Sequence, residues 1–440
     1  MTGSASNEQS FRRHPAAWVP TLYFAEGIPF YIVNFLAIVC YKKMGVSNAV
    51  ITAIISMLTL PWSLKPLWSP LLEMYKTKKF FVVAMQLGGG LSLVLLSLSL
   101  NMPDFFRYSV AMLVVIGFCS ATHDIAADGI YIAALTPREQ AAYIGPQGAC
   151  YNLGRVFSTG ALLWLSGYLT DRFARLHAAA PVVHAWMLVF AIVGLVMVAL
   201  GLYHARVLPR GGEEQRSESV AQMAGTFGEV VLSFFKKPHI ILLLIFIFLY
   251  RAGEGQVMKV GPLFLVSSRF SGGLGLSSTQ VGSIYFFVAW GVLLGSIVGG
   301  LFAASLGLKR ALTWLLLMLT MPLFAYIYLS QALPTNLWVV AAALGVEQFG
   351  YGFGFVGIIL LMMQEIAPGK FQTAHYAFAN SLMNFGFIVP GAVSGWIQSK
   401  LGYQHFFIWT LFCALPALLL SRFIPMHAGE PAQPAPSAAA

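Results

Sequence analysis

The feature that most constrains this chain is an apolar run of spanning length that keeps returning. Twelve such runs follow one another, at 18–40, 50–72, 80–100, 108–126, 141–169, 182–203, 240–257, 279–301, 308–329, 337–364, 373–397 and 403–425. They are numbered here as spans one to twelve. A helix rises about 1.5 Å per residue, so about 20 apolar residues cross the hydrocarbon core of a bilayer. In lipid the backbone has to satisfy its own hydrogen bonds, and runs of this length do so as helices. A wetted surface is excluded on supply: 10% of residues are charged and 58% hydrophobic, against about 25% charged in soluble domains. The expected fold class is an all-α polytopic membrane protein with twelve transmembrane helices.

The net charge of +10 sits in short gaps between apolar runs, not in one patch or arm. That distribution points to loops anchored at a lipid bilayer and away from nucleic acid as a partner. Cys40, Cys119, Cys150 and Cys413 lie in apolar stretches without CxxC spacing, so neither a disulfide framework nor a zinc site is expected. No other metal or cofactor is expected either. The first ten residues are polar and the first apolar run is of full spanning length, unlike a cleavable signal peptide.

Six runs precede and six follow one long hydrophilic interval, 205–237, which carries Arg206, Arg210, Glu213, Glu214, Arg216, Glu218, Glu229, Lys236 and Lys237. This predicts a six-helix bundle over 1–204, a central cytoplasmic loop over 205–237, a second bundle over 238–429 and a disordered Pro- and Ala-rich tail over 430–440. Lys and Arg are in excess on the side shared by the N-terminus and the central interval, which places both termini in the cytoplasm. The halves also echo each other. Glu26 in span one answers Glu254 in span seven, and Lys78 after span two answers Lys309 after span eight, at similar offsets. Transporters are commonly built from such repeats.

The turn after span two reads Lys65-Pro66-Leu67-Trp68-Ser69-Pro70-Leu71-Leu72-Glu73, followed by Lys76, Lys78, Lys79 and then Gln86. Span one contains Gly27-Ile28-Pro29, and span four with its exit reads Ala121-Thr122-His123-Asp124-Ile125-Ala126-Ala127-Asp128-Gly129. Together these resemble the AmpG-type muropeptide permease branch of the major facilitator superfamily, and the related acetyl-CoA transporters. The match covers the first five spans in motif and the second half in layout. Two departures stand out. His123 takes the place of the branch's usual Gln, and the branch's Tyr-Arg-Leu-Gly appears as Tyr151-Asn152-Leu153-Gly154, with Arg155 three positions beyond Asn152. The resemblance implies a fold of two six-helix bundles rocking around a midplane site, in a bacterial inner membrane. It also implies that Lys65, Trp68, Pro70, Glu73, Lys78, Lys79, Lys309 and Arg310 belong to the signature loops and to gating.

Charged side chains inside a bilayer cost at least about 2.5–3.5 kcal/mol each on insertion scales and normally face a cavity or a partner. Glu26 lies within span one beside Gly27 and Pro29. It reads either as a cavity carboxylate that takes a proton or binds substrate, or as a structural ion pair. Asp124 and Asp128 are four apart at the expected helix end, where Asp128 is expected to latch onto Arg155 or Arg138. Asp124 is open between latch and proton site. Arg155, with Tyr151 and Asn152, suits an anionic cargo, since a guanidinium forks onto carboxylate or phosphate; pairing with the aspartates is the alternative. Arg251 and Glu254 at i, i+3 form either an internal pair or part of a binding site with Gln256 and Lys259. Lys65 is expected to snorkel to the cytoplasmic surface. Glu347 and Gln348 lie deep in glycine-rich span ten, Asn380 and Asn384 share a face of span eleven, and Tyr23 offers a ring in span one. The proton-coupling candidates are Glu26, Asp124 and Glu347.

A monomeric proton-coupled transporter is the expected function, with a muropeptide-like cell-wall breakdown product as the cargo that the resemblance implies. The alternatives are another cargo (siderophore, acyl-CoA-like solute or drug efflux) and an integral-membrane transferase using His123 and Asp124. A Walker-type phosphate loop is absent from the sequence, against ATP-driven transport. The transferase lacks a second catalytic partner, and the doubled layout has no reason in it, so no enzyme is expected.

Overall fold

Apolar runs of this length can pair their backbone groups only by closing into helices. In the computed structural model, which describes residues 14–69, 72, 77–210 and 220–426, every regular element among the described residues is helical. Among the described residues ten helices are long and apolar enough to cross a membrane: Pro15–Lys43, Asn48–Leu67, Lys78–Ser99, Phe105–Ala134, Pro181–Val207, Ile240–Val266, Ser278–Leu306, Leu308–Ala332, Leu337–Ile366 and Gln372–Leu420. The last is broken at Gly402, where φ of 71° and ψ of 172° suit glycine, so it holds both expected spans eleven and twelve. Span five runs over 137–175 as Pro137–Val156, a π-helical stretch Phe157–Leu162 and Leu163–Arg175. Gln147, Asn152 and Arg155 make it more polar than the ten. The all-helical architecture is thus consistent with twelve spans. Large apolar side chains such as Leu98, Leu195, Trp396 and Leu419 stand exposed, the surface of a chain solvated by lipid.

Two boundaries differ from expectation in ways that matter. Span four continues to Ala134, because nothing breaks it before Thr136-Pro137, where Thr136 and Glu139 close a capping box on the next helix. Asp124 and Asp128 therefore lie inside a helix, not at its end. Part of the interval expected as a polar loop is helical as well, over Val220–Phe235. Phe234 is buried with Ile240, Leu243 and Met383 in one apolar cluster, Ser233 bonds His375 at 3.1 Å, and exposed Lys370 reaches Glu229 at 2.8 Å. An apolar edge at i, i+4 lets that helix pack while its flanks stay polar. The tail at 430–440 and the stretch Glu213 to Glu218 lie outside the described residues.

By contacts the chain forms two compact units. One comprises Met1–Val46, Met57–Glu218 and Ser277–Phe286, the other Ser47–Ser56, Ser219–Leu276 and Phe287–Ala440. In the first unit, Gly282 lies so close to span five that a Cβ there would meet the Trp164 amide nitrogen at 2.3 Å, and the Phe35 and Tyr285 rings are 4.7 Å apart. In the second unit, Asn48 donates from Nδ2 to Gln398 Oε1 at 2.7 Å and to the Tyr403 hydroxyl at 3.0 Å. The Gly395 amide there donates to Thr52 Oγ1 at 3.0 Å.

Candidate functional site

The first unit gathers its polar residues where span one loosens. Pro29 lies inside the helix Val19–Tyr31, which passes into the π-helical Ile32–Leu36; proline supplies no amide hydrogen, and π segments often mark functional positions. Glu26 precedes it, half-buried. Gly27 brings span one against span five, since a Cβ there would meet the Tyr151 carbonyl oxygen at 2.5 Å. From span four come His123 and Asp124, both buried, and exposed Asp128. A carboxylate oxygen of Glu26, a ring nitrogen of His123 and a carboxylate oxygen of Asp124 lie within 4.8 Å of one another. That spacing is within reach of a single cation, but the bonds in place are to protein. Lys65 Nζ donates to Asp124 Oδ2 at 3.2 Å, and the Tyr23 hydroxyl donates to Asp128 Oδ1 at 3.0 Å. Glu26 Oε2 and Asp124 Oδ1 are buried without a hydrogen-bond partner.

These contacts correct two expectations. Lys65 holds Asp124 and Tyr23 holds Asp128, two partners that were not expected, while Arg138, one of the two expected partners, is exposed. Lys65 does not snorkel outward. It begins a 3-10 turn, Lys65–Leu67, at the end of the Leu60–Leu64 helix, and points its ammonium inward to Asp124.

Behind this cluster runs a chain of polar groups of which His123 alone was weighed as a site residue. Gln86 of span three, fully buried, lies between His123 of span four and His204 of span six. Gln86 Nε2 is 2.9 Å from His123 Nε2, and Gln86 Oε1 is 2.8 Å from His204 Nδ1. His204 Nε2 is 3.0 Å from Thr21 Oγ1, which also lies 3.2 Å from the Trp18 carbonyl oxygen. The signal was in the sequence as Gln86 inside one apolar run and His204 at the edge of another, but nothing local ties one to the other.

Arg155 is 4% exposed, with its guanidinium 5.3 Å from the centre of the Tyr31 ring. The Tyr31 and Tyr151 rings are 6.3 Å apart. Asn152 donates to the Gly148 carbonyl of its own helix at 2.9 Å. Among the signature-loop residues, Trp68 packs on Phe118 at 5.6 Å between ring centres, and the stem of Lys78 lies along Gly129, where a Cβ would meet its Cδ and Cε at 2.7 Å. Lys79 is half-buried and donates its amide to Arg210 at 3.4 Å. Pro70 and Glu73 lie outside the described residues.

The second unit has its own charged centre. Arg251 forks onto Glu254, with Nε to Oε2 at 2.8 Å and Nη2 to Oε1 at 3.2 Å. The guanidinium stands 4.6 Å from the Phe387 ring centre, and fully buried Lys259 places Nζ 4.8 Å from the same ring. Gln256 accepts from Trp409 Nε1 at 3.1 Å. Gly255 repeats the role of Gly27: a Cβ there would meet the Phe387 carbonyl oxygen of span eleven at 2.9 Å. The echo between Glu26-Gly27 and Glu254-Gly255 thus extends to packing. In span ten the Gln348 amide donates to Glu347, both buried. Asn380 and Asn384 are half-buried on span eleven, while Lys309 and Arg310 are exposed beyond Gly307.

Comparison with known proteins adds three findings. The family model described as Major Facilitator Superfamily matches residues 21–364. The chain is 25% identical over 427 residues to the anhydromuropeptide permease of Escherichia coli, covering 93% of this chain and 79% of that one. Its fold is similar to the crystal structures of the nucleoside transporter NupG (TM-score 0.70, 14% identity, 92% of this chain and 98% of the other) and of a D-xylose–proton symporter (TM-score 0.68, 12% identity, 93% and 98%).

Proposed function

Because the chain belongs to the major facilitator superfamily, we propose that this integral membrane transporter imports a muropeptide-like cell-wall breakdown product together with protons. It works as a monomer in a bacterial inner membrane with both termini cytoplasmic. Residues 1–204 and 238–429 act as the two bundles that alternate access around a midplane site. The observation that carries proton coupling is the cluster at Glu26 and Asp124: each holds a buried carboxylate oxygen without a partner, and Lys65 is the ammonium bonded there. Two ionised carboxylates so close together repel, and one proton shared between them removes the repulsion. Lys65–Asp124 and Tyr23–Asp128 serve as the latch that a bound proton loosens.

The cargo reading is supported by the similarity to the Escherichia coli anhydromuropeptide permease over nearly the whole chain. The cations have the chemistry for an anionic solute, with Arg155 on Tyr31 in one unit and Arg251 and Lys259 on Phe387 in the other. Ring faces beside guanidinium groups suit a sugar with carboxylates. The test is uptake of labelled anhydromuropeptide by cells lacking their own permease, with and without a proton uncoupler. Uptake that collapses with uncoupler is expected. No uptake removes the cargo, and uptake indifferent to uncoupler removes the coupling. Glu26→Gln should insert normally and lose accumulation; normal accumulation would remove Glu26 from the coupling site.

A further inference from the structure

We propose that Gln86 is a positioning residue: it bridges His123 and His204 and holds both imidazoles in the Nδ1–H tautomer. This rests on the reading of Glu26 and Asp124 as the coupling site. An amide nitrogen only donates and an amide oxygen only accepts. With Gln86 Nε2 facing His123 at 2.9 Å, the His123 Nε2 has to be the bare, accepting nitrogen, and its hydrogen sits on Nδ1. With Gln86 Oε1 facing His204 Nδ1 at 2.8 Å, that nitrogen has to carry hydrogen and donate. His204 Nε2 is then the acceptor, which requires the one Thr21 hydroxyl hydrogen to turn to it across 3.0 Å and away from the Trp18 carbonyl oxygen that it also reaches at 3.2 Å.

Two further observations support a built chain. Gln86 and His204 are fully buried and His123 is 3% exposed, so water does not compete freely for these bonds, and a lost partner leaves a buried polar atom unsatisfied. Beside the Gln86–His123 contact, Ala25, Pro29, Cys119 and Ser120 line a cavity of about 10 Å³, room for about one water. Ser120 Oγ, which borders it, is buried without a hydrogen-bond partner.

The two histidines differ as a consequence. A proton added at His123 Nε2 would set N–H against the Gln86 N–H, so His123 takes a proton there only when the Gln86 amide turns over and His204 changes tautomer with it. A proton added at His204 Nε2 is accommodated, because the Thr21 hydroxyl can turn its hydrogen to the Trp18 carbonyl and accept instead. Rotating the Gln86 amide by half a turn would reverse both imidazoles together. Gln86 is thus the single joint through which one tautomer depends on the other.

The experiment is nitrogen-15 NMR of the full chain, labelled at histidine and reconstituted in bilayers, with His123→Gln and His204→Asn used to assign the two rings. Nitrogen shifts separate a bare ring nitrogen from a protonated one. In the unaltered protein both rings should show hydrogen on Nδ1 and a bare Nε2. In Gln86→Leu, His123 should leave that state while His204 loses its acceptor. A His123 hydrogen on Nε2 in the unaltered protein overturns the proposal, as does an unchanged His123 tautomer in Gln86→Leu. If Gln86→Leu does not fold, Gln86→Glu replaces it: a carboxylate accepts from both sides and should move the His123 hydrogen to Nε2, an unmoved hydrogen again overturning the proposal. The readout does not pass through transport, so failure of proton coupling in the uptake assay leaves the tautomer result standing, and the reverse.

Discussion

Glu26 and Glu254 occupy matching places in spans one and seven, yet their surroundings ask different things of them. Glu254 is forked by Arg251, with both residues at most 7% exposed. Breaking a buried ion pair by removing one partner typically costs about 3–5 kcal/mol. Glu254→Ala should therefore lower the thermal unfolding temperature of the purified chain, and Glu254→Gln, which keeps one acceptor, should lower it less. Equal unfolding temperatures for both variants and the unaltered chain would mean that the pair does not hold the fold. Glu26 has no such bond to lose at Oε2, so Glu26→Gln should leave the unfolding temperature close to that of the unaltered protein while removing uncoupler-sensitive accumulation. Both glutamates were legible as charges stranded in apolar runs. What each one faces was not, because an ion pair at i, i+3 is written locally while the Lys65–Asp124 bond joins residues 59 positions apart.

At the level of elements, close helix crossings are carried by glycine. In span ten a Cβ at Gly352 would lie 2.1 Å from the Val292 carbonyl oxygen of span eight, whereas a Cβ at Gly300 meets nothing within 4 Å. Gly352→Ala should destabilise the second unit by about 1–3 kcal/mol as the two helices are forced apart, and Gly300→Ala should be neutral or slightly stabilising. Thermal unfolding with both variants side by side checks this; similar behaviour would mean that the crossing is not tight. Glycine density in span ten was visible in the sequence, but not which glycines touch a neighbour. Element ends were the less legible part. Span four stops at Ala134, eight residues past the apolar run 108–126 and just before Thr136-Pro137, because alanines and Ile130 continue a helix without extending a hydrophobic signal. The helix Val220–Phe235 was hidden for the converse reason: its buried edge, with Val230 and Phe234, is narrow and lies among charges.

For the molecule as a whole, the excess of Lys and Arg on one side argues for an N-in, C-in topology. A fluorescent protein that matures only in the cytoplasm should glow when fused after the C-terminus. A phosphatase that folds only outside the cytoplasm should be inactive there and active when inserted after Phe270, which is fully exposed between the helices Ile240–Val266 and Ser278–Leu306. The opposite pattern would invert the topology and exchange the sides assigned to every loop. Signature-loop residues Lys78, Lys309 and Arg310 would then face outward, which an importer's cytoplasmic gate does not permit.

What the sequence determined by itself is the membrane class, the sequence of spans and the short roster of polar groups inside them. Each of these follows from run length and composition, which are local properties read against a fixed bilayer thickness. Only the tertiary structure decided which polar groups meet. Tyr23 reaches Asp128 across 105 positions, and Gln86 joins His123 and His204 across 37 and 118. It also placed Ser47–Ser56 with the second unit and Ser277–Phe286 with the first. The physical reason is that lipid rewards every apolar face equally, so hydropathy says that a helix spans without saying which neighbour it packs against. That choice rests on close-fitting glycines and on satisfying buried polar atoms, and those contacts exist only once distant helices are side by side.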